Sequence, residues 1–284
     1  MPRLIFLVNV FAALTGAHAA EYSITSDKTG DQGIRRVTIE TPYQPEPTVI
    51  RIVAPPESAV ASGADAPAEC RIVFVLPVEP GEQHAYGDGL AEAIKSGLHT
   101  KQNLILVAPS FTQLPWYADH TSNEKIRQDS YFIKSVLPMV DSLYPAKKPR
   151  RLLLGFSKSG FGAYSLILRR PDLFEAAAVW DAPLMKEKPD QFGMEDIFGT
   201  QENFEHYQVS KLFAEKAADF KPQTRLFLGG FGNFKKHTDE AHALLETLGI
   251  PHEFASSIYR KHIWGSGWIP VALHFLEQVS SKPR

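Results

Sequence analysis

The rhythm of apolar and polar positions changes along the chain. From Glu21 to about Pro55 apolar residues alternate with polar ones in three short segments, EYSITS, IRRVTIE and TVIRIVAP. That period of two predicts antiparallel strands forming a leading meander. PPESAVASGADAPAE, residues 55–69, is rich in Ala, Pro and Ser and predicts an exposed loop. Beyond it, short runs apolar on both faces alternate with segments of helical periodicity. The strand-like runs are RIVFVLP (71–77), NLILVAP (103–109), RLLLGF (151–156), AAAVW (176–180), TRLFLGG (224–230) and HEFASS (252–257). Helices are predicted over 89–98, 124–143, 159–169, 209–219, 236–248 and 268–279. Strands apolar on both faces and separated by helices are what a parallel sheet covered on both sides requires. The expectation is an α/β fold with a mostly parallel, doubly wound sheet and antiparallel strands at its N-terminal edge.

The chain has 284 residues, enough for one substantial core, and no internal repeat or composition shift marks a second domain. We expect a signal over residues 1–19 and a single α/β domain over 20–284, with the charge- and Phe-rich segment 183–208 as a small cap insertion near the strand ends. The start of the chain differs from the rest. Arg3, the apolar run Leu4 to Leu14 and then Ala17-His18-Ala19 form the three zones of a secretory signal. Cleavage is expected after Ala19, and the apolar run is too short to span a bilayer. The mature protein is therefore expected in the periplasm or secreted, with no membrane span. A net charge of −2 without long basic runs argues against a nucleic-acid partner. Cys70 is the only cysteine, so no intramolecular disulfide forms, and the residue is read as a small buried hydrophobe.

The candidate chemistry sits in RRLLLGFSKSGFGAYS, residues 150–165. Ser157 falls on the turn between an apolar strand and a helix, at the carboxyl end of the strand, where reactive groups collect in such sheets. Small neighbours fit that placement: Gly155 and Ser159 make room for the turn, and Gly160 and Gly162 let the helix approach the sheet. A serine hydroxyl needs a histidine base, and the base needs an acid to hold its tautomer. His262, in the loop after HEFASS, stands where a base belongs. His84 and His120 lie in loops that could border a pocket, whereas His237, His242, His252 and His274 lie on helices or a strand. His237 and His242 are five apart, which does not put two ligands on one helical face, so a zinc site is rejected and no metal-binding residues are expected in the chain. For the acid, the loop after TRLFLGG reads FGNF with no carboxylate before Asp239, whereas AAAVW runs directly into Asp181. Asp181 is preferred, and Asp239 stays open as the alternative. Oxyanion-hole donors follow from fold geometry: the N–H of Lys158, and that of Val78 or Glu79 after RIVFVLP.

These residues resemble the α/β-hydrolase superfamily, and within it the secreted esterases of the esterase D and mycolyltransferase type. The motifs that carry the resemblance are GFSKSGFGA (155–163), PWYAD (115–119), RRPDLF (169–174), LGIPHEF (248–254) and HIWGSGW (262–268). The resemblance implies Ser157 as nucleophile and His262 as base. It places Trp116 and Tyr117 at the substrate entrance and packs Trp264 and Trp268 behind the histidine loop, with Trp264 counted beside Trp116 and Tyr117 as substrate-binding. Two positions depart from the family pattern: Ser159 replaces a glycine in the elbow, and no carboxylate stands near Asn233. The function implied is a serine hydrolase, foremost a carboxylic ester hydrolase acting on a small-molecule or glycan-linked ester, with no cofactor. Acyl transfer or peptide hydrolysis by the same groups, or ligand binding without catalysis, are the alternatives.

Overall fold

A computed structural model describes residues 21–30, 33–55 and 69–282. The expected signal at residues 1–19 lies outside them. The nine strands among the described residues form one sheet, in the order β1-β2-β3-β5-β4-β6-β7-β8-β9. The leading meander is β1 (Ser23–Thr29), β2 (Arg35–Glu40) and β3 (Thr48–Val53), and β3 runs antiparallel to β5 (Ile105–Pro109). From β5 onward the sheet is parallel, through β4 (Glu69–Val75), β6 (Lys148–Phe156), β7 (Ala176–Trp180), β8 (Leu226–Gly229) and β9 (His252–Ala255). Both β5 and β7 are buried along their full length. That is why their sequences carry no polar alternation, whereas β2 and β3 bury every second residue.

Helices cover both faces. One face carries α1 (Gly89–Lys95), α2 (Leu98–Lys101) and α10 (Ile269–Ser280), over a core that includes Val73, Val75, Leu152, Leu154, Trp180 and Trp268. The other core contains Phe74, Leu153, Val179 and Leu228. It is covered by α3 (Gln128–Tyr131), a π-helical turn at Phe132–Val136, α4 (Leu137–Leu143), α5 (Ser157–Arg169), α8 (Val209–Phe220) and α9 (Lys235–Leu248). Between β7 and α8 lie two short helices, α6 (Glu195–Phe198) and α7 (Gln201–Glu205). This stretch is tied to the segment after β5: Trp116 Nε1 donates to the Phe192 carbonyl, and Asn203 Nδ2 donates to the Asp119 carbonyl.

The fold expectation holds, with shifted boundaries. The helix expected from residue 124 starts at Gln128, because Arg127 is engaged in a bridge with Asp119 and the chain before it remains a loop. Strand β6 starts three residues earlier than its apolar run, since its partner β4 already pairs at Glu69↔Lys148. No helix among the described residues is long and apolar enough to cross a membrane.

The chain order of the strands matters for the site. β4 is followed by β5 on one side, and the chain then returns to place β6 on the other side of β4. The carboxyl ends of β4 and β6 therefore open onto a topological switch point, the position where a doubly wound sheet leaves a crevice.

Candidate active site

Ser157 follows β6 directly as the first residue of α5, with φ at +52°. A non-glycine residue in the left-handed region costs about 1–3 kcal/mol and persists only where its surroundings enforce it. Here the enforcement is visible. A Cβ on Gly155 would lie 2.4 Å from the Ser159 carbonyl oxygen, so only glycine lets the turn close. Ser159, at the position where the family pattern has glycine, is fully buried; its hydroxyl accepts from Phe156 N–H at 3.0 Å and donates to the Phe156 carbonyl at 2.9 Å. The departure thus adds a clamp across the turn. Gly160 approaches Val179 of β7, as expected, but Gly162 has a different neighbour: a Cβ there would lie 2.1 Å from the Tyr117 ring.

Asp181, one residue past β7, repeats the device. It also has positive φ, +44°, and its side chain is completely buried. Its Oδ1 accepts the Phe234 N–H at 2.8 Å, and its Oδ2 accepts the Asn233 N–H at 2.9 Å. The same Oδ2 is 2.6 Å from His262 Nδ1. A carboxylate buried without partners would be expensive, and three donors offset that cost. The loop after β8, which lacks a carboxylate of its own, supplies the backbone that holds this one. Gly232 is part of that fit, because a Cβ there would lie 2.3 Å from Oδ2.

His262 completes the row, with Nε2 at 3.1 Å from Ser157 Oγ. Its loop is anchored by two tryptophans, two and six residues on. Trp264 N–H donates to the Tyr86 carbonyl at 2.9 Å, and its ring lies 5.4 Å from Phe156 and from Trp268. Trp268 in turn stacks on Trp180 with centroids 5.8 Å apart. The imidazole is bordered by Phe156 at 4.5 Å, Phe234 at 5.5 Å and Tyr86 at 5.7 Å between ring centroids. Ser157 keeps only 8% of its surface in solvent.

Three expectations about the entrance are corrected. Trp116 and Tyr117 are both fully buried, and Trp264 is buried almost completely. None of them forms a rim. Trp116 packs against Phe161 and Phe198, because the segment 183–208 lies over it and its indole N–H reaches the Phe192 carbonyl. Tyr117 extends under α5 and donates its hydroxyl proton to the Pro77 carbonyl at 2.8 Å, pinning the end of β4. Trp264 fills the space left by Gly89, whose Cβ would lie 2.8 Å from the indole. The exposed aromatics beside the row are Tyr86, 39% exposed, and Phe192, 50% exposed and edge-on to Phe234. Sequence reasoning missed Tyr86, Phe192 and Phe234, which lie in loops without periodicity; only their position after β4, β7 and β8 hints at a role.

Val78 and Glu79 lie just past β4, both buried, and Lys158 is the second residue of α5, beside Ser157. Among the described residues no hydrogen bond occupies the N–H of Val78 or Glu79. Burial holds the Lys158 ammonium below the ordinary lysine value, opposed by the Glu79 carboxylate, and its Nζ lies 5.8 Å from the centre of the Tyr86 ring. Asp239, the alternative acid, is half-exposed and paired with Lys235 one helical turn away. Four of the other histidines are engaged elsewhere. His120 Nδ1 accepts two N–H groups of its own turn, His237 Nδ1 accepts Met185 N–H, His84 lies 3.6 Å from Asp88, and His274 meets Gln278.

An elbow serine after a central parallel strand, under a mostly parallel sheet wound on both faces, defines the α/β-hydrolase fold. Residues 100–237 match the family model described as "Putative esterase", a stretch that includes Ser157 and Asp181 and ends before His262. No curated protein matches the chain. Among solved structures it is similar to an S-formylglutathione hydrolase from Agrobacterium tumefaciens (TM-score 0.65, 14% identity, 90% of this chain and 99% of that one). It is also similar to a ferulic acid esterase (0.63, 16%, 93% and 99%) and to a substrate-bound fluorophosphonate-binding serine hydrolase of Staphylococcus aureus (0.61, 14%, 91% and 97%). The chain thus has the α/β-hydrolase fold, and the stretch that matches the esterase model, residues 100–237, covers just under half of it.

Proposed function

We propose that the protein hydrolyses carboxylic esters through Ser157, His262 and Asp181, and that it does so as a secreted or periplasmic enzyme. The observation that carries the reading is the continuous row from Ser157 Oγ to His262 Nε2 at 3.1 Å and from His262 Nδ1 to Asp181 Oδ2 at 2.6 Å. Asp181 is held as an acceptor by two backbone N–H groups, so His262 presents its proton at Nδ1 and a lone pair at Nε2. Nε2 takes the Ser157 proton as Oγ bonds to the acyl carbon. The carbonyl electron pair moves onto oxygen and is met by the N–H groups of Lys158 and of Val78 or Glu79. Collapse of this intermediate breaks the bond to the alcohol oxygen, which leaves with the proton held by His262. Water then bonds to the acyl carbon, gives one proton to Nε2, and the carboxylic acid departs as Ser157 recovers its proton.

Tyr86, Phe192 and Phe234 form the mouth of this site, with the Lys158 ammonium over the Tyr86 ring. The segment 183–208 then acts as one side of the rim, through Phe192. Small-molecule esters with a flat or apolar portion suit such a wall. Secretion is supported by the signal pattern of residues 1–19.

The test is mass spectrometry of the protein after fluorophosphonate treatment, with p-nitrophenyl ester turnover in parallel. One adduct per chain is expected, absent from Ser157→Ala and formed at least a hundredfold more slowly by His262→Ala. Folded wild type that forms no adduct overturns the reading.

A further inference from the structure

At the edge of the sheet, between α9 and β9, three side chains converge that the ester chemistry does not use. His242 and Glu246 stand one turn apart on α9, and His252 opens the edge strand β9. One donor atom from each lies within 4.8 Å of the others. We propose that His242, Glu246 and His252 bind a divalent transition-metal ion of the zinc type, bridging α9 and β9.

The donor chemistry fits. Two imidazoles and one carboxylate are an established ligand set for zinc, and water fills the fourth position. The spacing that failed for His237 and His242 is met here, because Glu246 follows His242 by four residues and so shares its face of the helix. His252 comes from another element, which the sequence alone does not bring near.

The ring orientations are already set. His252 Nδ1 lies 2.9 Å from the Ile250 carbonyl, which only accepts, so Nδ1 carries the proton and Nε2 keeps its lone pair. That is the outer hydrogen bond which typically orients a metal-bound histidine. His242 lies flat on Phe254, with centroids 3.8 Å apart and planes 3° from parallel. The two inner nitrogens, His242 Nδ1 and His252 Nε2, are 2.8 Å apart and share one proton. Two nitrogens bound to one zinc at about 2.0–2.1 Å in tetrahedral geometry stand roughly 3.3 Å apart. An ion therefore needs the pair to open by roughly half an ångström, with the shared proton moving to His242 Nε2 through solvent.

Such an ion would link two elements that lead to the catalytic row. β9 runs into the loop that carries His262, and α9 begins beside the Asn233 and Phe234 N–H groups that hold Asp181. The expected consequence is a steadier edge of the sheet.

The experiment uses the full chain as purified, stripped with chelator and dialysed, then titrated with Zn²⁺ against a chromophoric competitor. One equivalent per chain is expected, with micromolar or tighter affinity and a melting temperature that rises with Zn²⁺ concentration. His252→Gln and His242→Gln should each weaken binding by about thirtyfold or more, and Glu246→Gln by about tenfold. Glu246 is exposed, so its substitution separates ligand loss from misfolding, and stripped Glu246→Gln should keep wild-type ester turnover. Wild type that takes up no Zn²⁺, or Zn²⁺ affinity unchanged in Glu246→Gln and His252→Gln, overturns the proposal.

Discussion

Replacing Asp181 by Asn changes only one atom and tests the acid more sharply than its removal. Three donors converge on the carboxylate: Phe234 N–H on Oδ1, and Asn233 N–H and the His262 Nδ1 proton on Oδ2. A carboxamide offers one oxygen and one NH2 group, so at least one donor must face another donor. If the NH2 group faces Phe234, the cost falls on stability, about 1–3 kcal/mol for the unmet N–H groups. If it faces His262, the ring takes the other tautomer, Nε2 carries the proton, and Ser157 loses its base. The second arrangement is favoured, because the NH2 group then finds an acceptor in Nδ1 and facing Phe234 it finds none, and the second is inactive. Turnover should fall by roughly 10³–10⁴-fold, or about 4–5 kcal/mol in barrier. The assay is kcat and KM for a p-nitrophenyl ester alongside the rate of fluorophosphonate labelling, which should fall together while KM stays within about threefold. Asp239→Asn is the control, because its carboxylate is half-exposed and engaged with Lys235. Asp181→Asn within tenfold of wild type, or Asp239→Asn with a comparable loss, refutes the assignment.

Tyr117→Phe removes the hydroxyl that reaches the Pro77 carbonyl and so loosens the end of β4 from which the Val78 and Glu79 N–H groups emerge; kcat should fall about three- to tenfold with KM unchanged, whereas a rise in KM alone would return Tyr117 to the substrate entrance. Ser159→Gly restores the family glycine but removes both bonds to Phe156; a loss of about 2–3 kcal/mol and a melting temperature lower by about 5–10 °C by calorimetry are expected, and an unchanged transition would mean the clamp contributes nothing. Burial beside Asp141 pushes the Cys70 thiol up to about 11, so at pH 8 native protein should react with a disulfide reagent about a hundredfold more slowly than an ordinary cysteine; equal rates for native and unfolded protein would contradict that environment.

How much of this was legible in the chain depends on range. Parallel strands showed themselves because burial on both faces removes polar residues from AAAVW and ILVAP, and the antiparallel edge showed itself through alternation in β2 and β3. The strained turn at Ser157 was legible because it demands small residues within a few positions, and the placement of His262 beside it because the chain order of the fold brings the loop after the last strand there. The entrance was misread because aromatic content does not report direction. Trp116 and Tyr117 face inward only because the segment 183–208 and α5 lie over them, contacts separated by tens of residues. The cluster of His242, Glu246 and His252 was hidden for the same reason: two members share a helical face, but the third arrives from a strand.

In the proposed mechanism a carboxylate is needed at one point, beside His262 Nδ1, whichever strand delivers it. Here β7 delivers it, and the strained φ of Asp181 turns its side chain across the end of β8. The loop after β8 then has a different task. It must donate rather than accept, so Asn233 and Phe234 contribute main-chain N–H groups, and Gly232 must lack a side chain because the Asp181 carboxylate occupies that space. A second carboxylate on that loop would face the first within the same pocket and disfavour its ionised form. On that reading the absence of an acid near Asn233 and the need for glycine at position 232 have a single cause, the carboxylate at position 181.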